Sequence, residues 1–457
     1  MVSFMEVIDR ALKGPFCSEK DFDLKVFVPR LKEVIKKYEI KYDPENPIPS
    51  DDDLADRIFK AGVEFYANVG TYCVDTERII RFTEEEIEEA LVMAPSAPVF
   101  GEGKETKALV ARKPESHIPP WCFIGAGGAA VSNEELFASI LEAYASFLPL
   151  ADSITTPSIK AINGETVRAG SPLEILACIR SSVLAREALR RGGRPGLPIM
   201  NSIATAVSDT AKIAGSQFGL RPSDGWLIGT MAELKINFAR LNEIAYVLSL
   251  GGHIVAETAP LLGGYCGGPE GVAVANVAYS LNCILAMKGS TQLTFPIHFN
   301  YGCSTTRDVL WSVSTSSQAI SRNSHFPFFI LSYTAAGPMT EMCLYEIAAA
   351  VTTSVVSGAS IEFGGVTKAT IADNFSPMEP KLASEVAHGV VGMTRLQGNE
   401  IVKLLLAKYE KDIPQAPKGR KYQECWDIQS KEPKPEYLEL YQKIKQELVE
   451  YGIPFRF

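Results

Sequence analysis

His253-Ile254-Val255-Ala256-Glu257 is one of eight short apolar runs, rich in β-branched or aromatic residues, that recur between Cys122 and Val366. The others are Cys122–Ile124, Ser153–Ile159, Pro198–Ile203, Trp226–Thr230, Leu293–Tyr301, Phe326–Tyr333 and Ile361–Val366. Each is short enough for a buried strand, and several end in glycine or a small polar residue. A helix-like stretch follows each: Asn133–Phe147, Pro172–Arg190, Ala204–Gln217, Ala232–Leu250, Glu270–Met287, Ser304–Ser321, Thr340–Val356 and Lys381–Tyr409. Eight such alternations predict an α/β TIM (β/α)8 barrel, whose chemistry belongs at the C-terminal ends of the strands.

At 457 residues, 46% hydrophobic and 22% charged, the chain is longer than a bare barrel and has ordinary globular composition. The expected organisation is a helical N-terminal extension over 1–118, the barrel over 119–397 and a C-terminal helical tail over 398–457. Thr83 with Glu86 reads as a capping box, Ser50 before three aspartates as an N-cap, and Ser132 before Glu134 and Glu135 as another. The formal net charge of −9, without a Lys/Arg stripe, argues against a nucleic-acid partner. Nine scattered cysteines with no CxxC argue against a disulfide framework and a zinc ribbon. Neither a signal peptide nor a membrane-spanning run is read, which points to the cytoplasm.

Several motifs carry candidate chemistry. Gly125-Ala126-Gly127-Gly128-Ala129-Ala130 fits the loose dinucleotide pattern, but the second run ends in Pro157-Ser158-Ile159, without the required acid. A flexible mouth loop is the better reading, with a Rossmann dehydrogenase as competitor. None of the five histidines has metal-ligand spacing, so no metal site is expected. His298, with Asn300 and Tyr301, stands near the end of the sixth run; His253 and His325 begin strands, where structural roles are expected. Glu257 ends the fifth run as either a site carboxylate or a salt-bridge partner of a residue such as Arg307. Tyr333 ends the seventh run and could equally be packing, as Met200 at the third could be core filling. The glycine-rich stretch around Gly263 and Gly264 would let something bulky approach the backbone.

These residues make the chain recognisable. It resembles the corrinoid-dependent monomethylamine methyltransferase family of methanogens along nearly its whole length. The match runs through Phe59-Lys60-Ala61-Gly62, Tyr72-Cys73-Val74-Asp75-Thr76, Arg194-Pro195-Gly196, Glu233-Leu234-Lys235-Ile236, Gly263-Gly264-Tyr265 and Thr306-Arg307. It continues through Ala336-Gly337-Pro338, Thr340-Glu341-Met342-Cys343-Leu344 and Gln423-Glu424-Cys425. The resemblance implies a cytoplasmic homo-oligomer, hexameric in that family, which passes a methyl group from a methylamine to the Co(I) corrinoid of a partner protein. It implies no tightly bound cofactor. It sets Gly125, Gly127, Gly128, Gly263 and Gly264 against the corrinoid.

The family's hallmark pyrrolysine follows the Arg-Pro-Gly motif, and by the resemblance Met200 stands at that position. Glu257 and Tyr333 match two polar neighbours of that residue, whereas Leu227 and Leu331 replace two others. A thioether has no electrophilic carbon with which to activate an amine. A quaternary ammonium needs no activation, because its leaving group is already a neutral amine. Its pocket needs apolar and aromatic walls with a carboxylate. The expected site is therefore catalytic Glu257, Tyr333 and Met200 with substrate-binding Leu227, Trp226, Leu331, His298 and Asn300. The alternatives are a monomethylamine methyltransferase using other activating groups and a non-catalytic corrinoid or small-molecule binding relative.

Overall fold

Strand pairing is parallel throughout the central sheet and closes on itself. The structure, a computed structural model, describes residues 2–125, 127, 129–200, 207–366 and 371–455. Seven strands form one sheet: β1 (Cys122–Gly125), β2 (Ser153–Thr155), β4 (Gly225–Gly229), β5 (His253–Thr258), β6 (Thr291–Thr294), β7 (Phe328–Thr334) and β8 (Ser360–Val366). β8 pairs with β1, so the sheet has β4 at one end and β2 at the other. The gap is bridged by β3, residues 198–200. The Ile154 N–H donates to the Pro198 carbonyl and the Met200 N–H to the Ile154 carbonyl, both at 3.0 Å. On the other side the Gly225 N–H donates to the Ile199 carbonyl at 2.9 Å. The result is a closed eight-stranded barrel, and the dehydrogenase reading, which needs an open sheet with a switch point, fails.

The eight outer helices are α1 (Glu134–Phe147), α2 (Pro172–Arg191), α3 (Asp209–Ser216), α4 (Phe238–Ser249), α5 (Pro269–Leu285), α6 (Arg307–Asn323), α7 (Glu341–Val356) and α8 (Met378–Gly389). The single helix expected over Lys381–Tyr409 is two. Thr394 opens the second, Arg395–Tyr409, with its own capping box. Helix caps also differ by one residue from expectation: Asn133 caps α1 and Asp51 caps Asp52–Val69, each accepting a backbone N–H, while Thr83 and Glu86 form the expected box. The expected runs over 153–159 and 293–301 are interrupted near Pro157 and Pro296, residues that offer no ladder donor. Beyond each proline the chain pairs again above the barrel, Ser158–Ile159 with Ala130–Val131 and Ile297–His298 with Leu261–Leu262. The expected third run extends past residue 200, and its residues 201–203, like 204–206 of the expected third helix, lie outside the described residues.

The segment before the barrel is mostly helical and also carries a small sheet. Thr71–Cys73 pairs antiparallel with Arg78–Ile80 and parallel with Lys235–Ile236 from the β4–α4 connection. A hairpin of Val99–Phe100 and Lys107–Ala108 closes the N-terminal end of the barrel, with Phe100 against Trp121 and His253. The Arg-Pro-Gly motif belongs to this closure. Arg194 makes a two-pronged ion pair with Glu105 on the hairpin side, at 3.0 and 2.5 Å. In the tail, the Tyr437 hydroxyl donates to buried Glu379 of α8.

One buried acid fixes β3 in place. Asp224 accepts the Ile199 N–H at 2.8 Å, the Arg221 N–H at 2.7 Å and the Arg186 guanidinium at 2.5 Å. Removing it leaves Arg186 buried without its anion. Asp224→Ala is expected to lower unfolding free energy by about 3–5 kcal/mol in urea titration. A loss under about 1 kcal/mol, the range of a surface ion pair, would show that Asp224 does not hold the closing strand.

Candidate functional site

Side chains alternate along each barrel strand, which decides what reaches the lumen. On β4, Leu227 points inward, while Trp226 and Ile228 pack among the outer helices. Val255 of β5, Phe329 and Leu331 of β7 and Phe123 of β1 also point inward. On β8, Ile361 and Phe363 face outward. Glu362 between them pairs in register with Leu331 on one side and Phe123 on the other, so it enters the lumen.

The lumen has two levels. Its floor is closely packed by Phe100, Leu109, Trp121, Phe123, Met200, Val255, Leu293, Phe329 and Leu331. Above the floor, Leu227, Glu257, Phe295 and Tyr333 retain accessible surface at the C-terminal ends of their strands. The Phe295 and Tyr333 rings meet edge to face, their centroids 5.9 Å apart. Two aromatic rings and one leucine side chain therefore stand with a carboxyl above the floor.

Glu257 is the carboxyl at the centre of this group. Burial pushes its pKa up, and Lys212 and Arg240 act against that shift. Its carboxylate accepts no hydrogen bond from the described residues. Gly229 on β4 leaves space for it: a Cβ there would stand 3.1 Å from Oε2. The opposing cations are themselves held by Glu243 of α4, which is buried. Lys212 reaches Glu243 at 2.9 Å and the Leu227 carbonyl at 3.0 Å, and Arg240 reaches Glu243 at 2.7 Å. Arg307 pairs with Glu410 instead, so it is not the partner of Glu257.

Glu362 is the residue that reading the sequence for site groups passes over. It is 3% exposed, and its Oε2 has no hydrogen-bond partner among the described residues. Burial raises its pKa well above the ordinary carboxylate range, and the neighbouring Glu257 raises it further. Of the two acids it is the one pushed further toward the neutral form. Burial, then Glu362, then Glu257, likewise raise the Tyr333 hydroxyl, which stays protonated. The available signal was a lone acid inside an apolar, alternating strand. Phe295 carried a similar signal, two residues beyond inward Leu293.

The other expected residues divide. Leu331 is buried in the lumen, and Met200 lies in its floor with no accessible surface, so it shapes the cavity from beneath. Trp226 is corrected: it faces the helical layer against Gly252, because its strand neighbour Leu227 takes the lumen position. His298 and Asn300 lie beyond β6 in the upper ribbon and its turn. The His298 Nδ1 accepts the Asn300 N–H at 3.2 Å and its ring packs on Tyr301, while Asn300 is exposed. Gly125 ends β1 with φ +155°, and a Cβ there would strike Thr155. Gly127 follows in a turn, and Gly128 lies outside the described residues. Gly263 and Gly264 sit in a tight turn above β5. That turn adjoins the β6 loop, and Tyr265, Phe299 and Tyr301 there are 45%, 65% and 40% exposed. Glu346 of α7 braces the same end by accepting the Ala335 and Ala336 N–H groups at 2.7 and 2.9 Å and the Thr305 hydroxyl. Among the described residues no group of three acidic, histidine or cysteine side chains could hold a metal ion, and no helix is long and apolar enough to cross a membrane.

The model of the family "Monomethylamine methyltransferase MtmB" matches residues 2–453. Monomethylamine methyltransferase MtmB2 of Methanosarcina barkeri (strain Fusaro) is 31% identical over 458 residues, covering 98% of this chain and 97% of that protein. MtmB1 of Methanosarcina acetivorans is 30% identical over 456 residues, with the same coverage. The crystal structure of the M. barkeri monomethylamine methyltransferase superposes with a TM-score of 0.95 at 29% identity, over 99% of this chain and 98% of that one. The crystal structure of the hydroxylamine MtmB complex gives the same values.

The buried acid pair should be visible in stability. A carboxyl with a raised folded-state pKa stabilises fully below its unfolded pKa, and that contribution is lost as pH rises toward the folded value. Glu362→Gln removes this loss. The variant should melt above the wild type at pH 8, with the gap narrowing toward pH 5. A pH-independent difference, or a lower melting temperature at pH 8, would show that Glu362 is not a buried neutral acid.

Proposed function

Since this chain belongs to the monomethylamine methyltransferase family, we propose that it moves a methyl group from a small methylated amine, held as a cation in the barrel lumen, to a corrinoid carried by a partner protein. The observation that carries the reading is Glu257: a carboxyl without a hydrogen-bond donor among the described residues, set with Leu227, Phe295 and Tyr333 at the C-terminal end of a TIM barrel. Aromatic faces and a desolvated anion are the elements that bind alkylated ammonium groups.

The donor is quaternary or otherwise pre-activated. In our reading Met200 takes the place of the family's pyrrolysine, and a buried thioether offers no electrophile to a neutral amine. A quaternary donor needs none. As its C–N bond breaks, nitrogen keeps the electron pair and departs as a neutral tertiary amine. Glu257 orients the cationic nitrogen, the Tyr333 and Phe295 rings bound its methyl groups, Leu227 flanks them, and Leu331 and Met200 exclude water from beneath. His298 and Asn300 shape the upper rim.

The partner's corrinoid supplies the Co(I) nucleophile when it is docked. The mouth suits a flat ring edge. Gly263, Gly264, Gly267 and Gly268 leave the β5 loop nearly free of side chains, and Tyr265, Phe299 and Tyr301 project beside it.

Glu257→Gln is expected to slow methyl transfer roughly a hundredfold, since one well-placed charge in a dry site contributes about 3 kcal/mol. The assay is consumption of Co(I) corrinoid absorbance with a panel of methylated amines. Turnover of monomethylamine with quaternary donors inert would overturn the donor class, and no turnover with any methylated amine would overturn the reaction. At the mouth, Phe299→Asp should raise KM for the corrinoid protein about tenfold, or ~1.4 kcal/mol, and leave the donor KM unchanged. Equal effects on both would remove Phe299 from the partner surface.

A further inference from the structure

Charge is balanced around β4 and β5 before any ligand binds. Four charged groups lie close to β4 and β5, Glu257 inside the barrel and the other three behind β4: Lys212 and Arg240 are cations, Glu243 and Glu257 carboxylates. They sum to zero. A cation entering beside Glu257 therefore meets a site whose charge is already compensated, in surroundings where an uncompensated charge is costly.

Glu362 offers the missing anion. It stands on β8, 3% exposed, with Oε2 unpartnered among the described residues. Its in-register neighbours Leu331 and Phe123 face the lumen. The titratable and charged groups around it can be named strand by strand. β5 brings Glu257, β7 brings Tyr333, and β1 brings the apolar Phe123. Lys212 of α3 and Arg240 of α4 act on Glu257. Glu362 therefore faces an anion, a neutral phenol and hydrocarbon. Nothing among these groups stabilises its ionised form, and an incoming cation would.

We propose that Glu362 is a second, unassigned binding residue of the site, and that the Glu257–Glu362 pair takes up a small N-methylated cation in exchange for the Glu362 proton. The exchange balances: a neutral carboxyl plus an aqueous cation gives a carboxylate–cation pair plus one proton released to solvent. The ligand class is a singly charged, hydrocarbon-coated ammonium. A neutral amine gains nothing from the exchange, because it brings no charge to compensate. The inference rests on the lumen being the donor site, and it adds the second carboxyl and the coupling to protons.

Tetramethylammonium, a permanent cation without a titratable proton, is the probe. Isothermal titration calorimetry at neutral pH in buffers of different ionisation enthalpy counts the protons released per cation bound. The wild type should release about one, with affinity rising as pH rises. Glu362→Gln should still bind, more weakly, but with release near zero and a flat pH profile. Glu362→Asp, which keeps the acid, should retain the release. Binding without proton release by the wild type, unchanged release by Glu362→Gln, or no binding at millimolar tetramethylammonium would each overturn the proposal. Methyl transfer without proton release would overturn the exchange and leave the reaction standing. Stoichiometric release without methyl transfer from any donor would do the reverse.

Discussion

The C-terminal end of the barrel is organised around one carboxyl that has no hydrogen-bond donor among the described residues and lies in a largely hydrocarbon lumen. An ionised group in such a place would normally take up a proton or recruit a partner, because desolvation alone costs several kcal/mol. Glu257 is given its cations indirectly. Lys212 and Arg240 are clamped on Glu243 behind β4, close enough to favour the anion but tied elsewhere by their hydrogen bonds. The carboxylate oxygens thus remain available to a ligand. Such an arrangement is unfavourable for folding and favourable for binding, and polar groups left in this state are commonly functional.

Much of the remaining architecture holds that arrangement still. Asp224 pins the short third strand, without which the sheet would stay open between β2 and β4. The hairpin at 99–108, with Phe100 on Trp121, seals the opposite end. Glu346 fixes the turn after Tyr333. These acids have structural work and several donors each, in contrast to Glu257 and Glu362. Counting donors to each buried acid separates the supporting carboxylates from the available ones.

The barrel was legible because its signal is distributed: eight apolar runs at regular spacing each specify a strand, and errors at single boundaries do not change the total. Boundaries were less legible where a proline stops a ladder, as at Pro157 and Pro296, or where a Thr cap restarts a helix, as at Thr394. Glu257 and Tyr333 could be read because they end their strands. Glu362 could not, since it lies within its run, and only the register against Leu331 and Phe123 shows which way it faces. The chemistry of Trp226 suits the lumen, but strand alternation places it on the other side. The ion cluster of Lys212, Arg240 and Glu243 spans two helices that are distant in sequence, so no local pattern could announce it.

A methylated cation bound in the lumen beside Glu257 can be seen directly. Tetramethylarsonium has the shape and charge of a quaternary ammonium, and its arsenic scatters anomalously. Crystals soaked in it should show one strong anomalous peak in the lumen, in contact with the Glu257 carboxylate and the rings of Phe295 and Tyr333. A lumen without a peak, or a peak only at surface acids, would contradict the account.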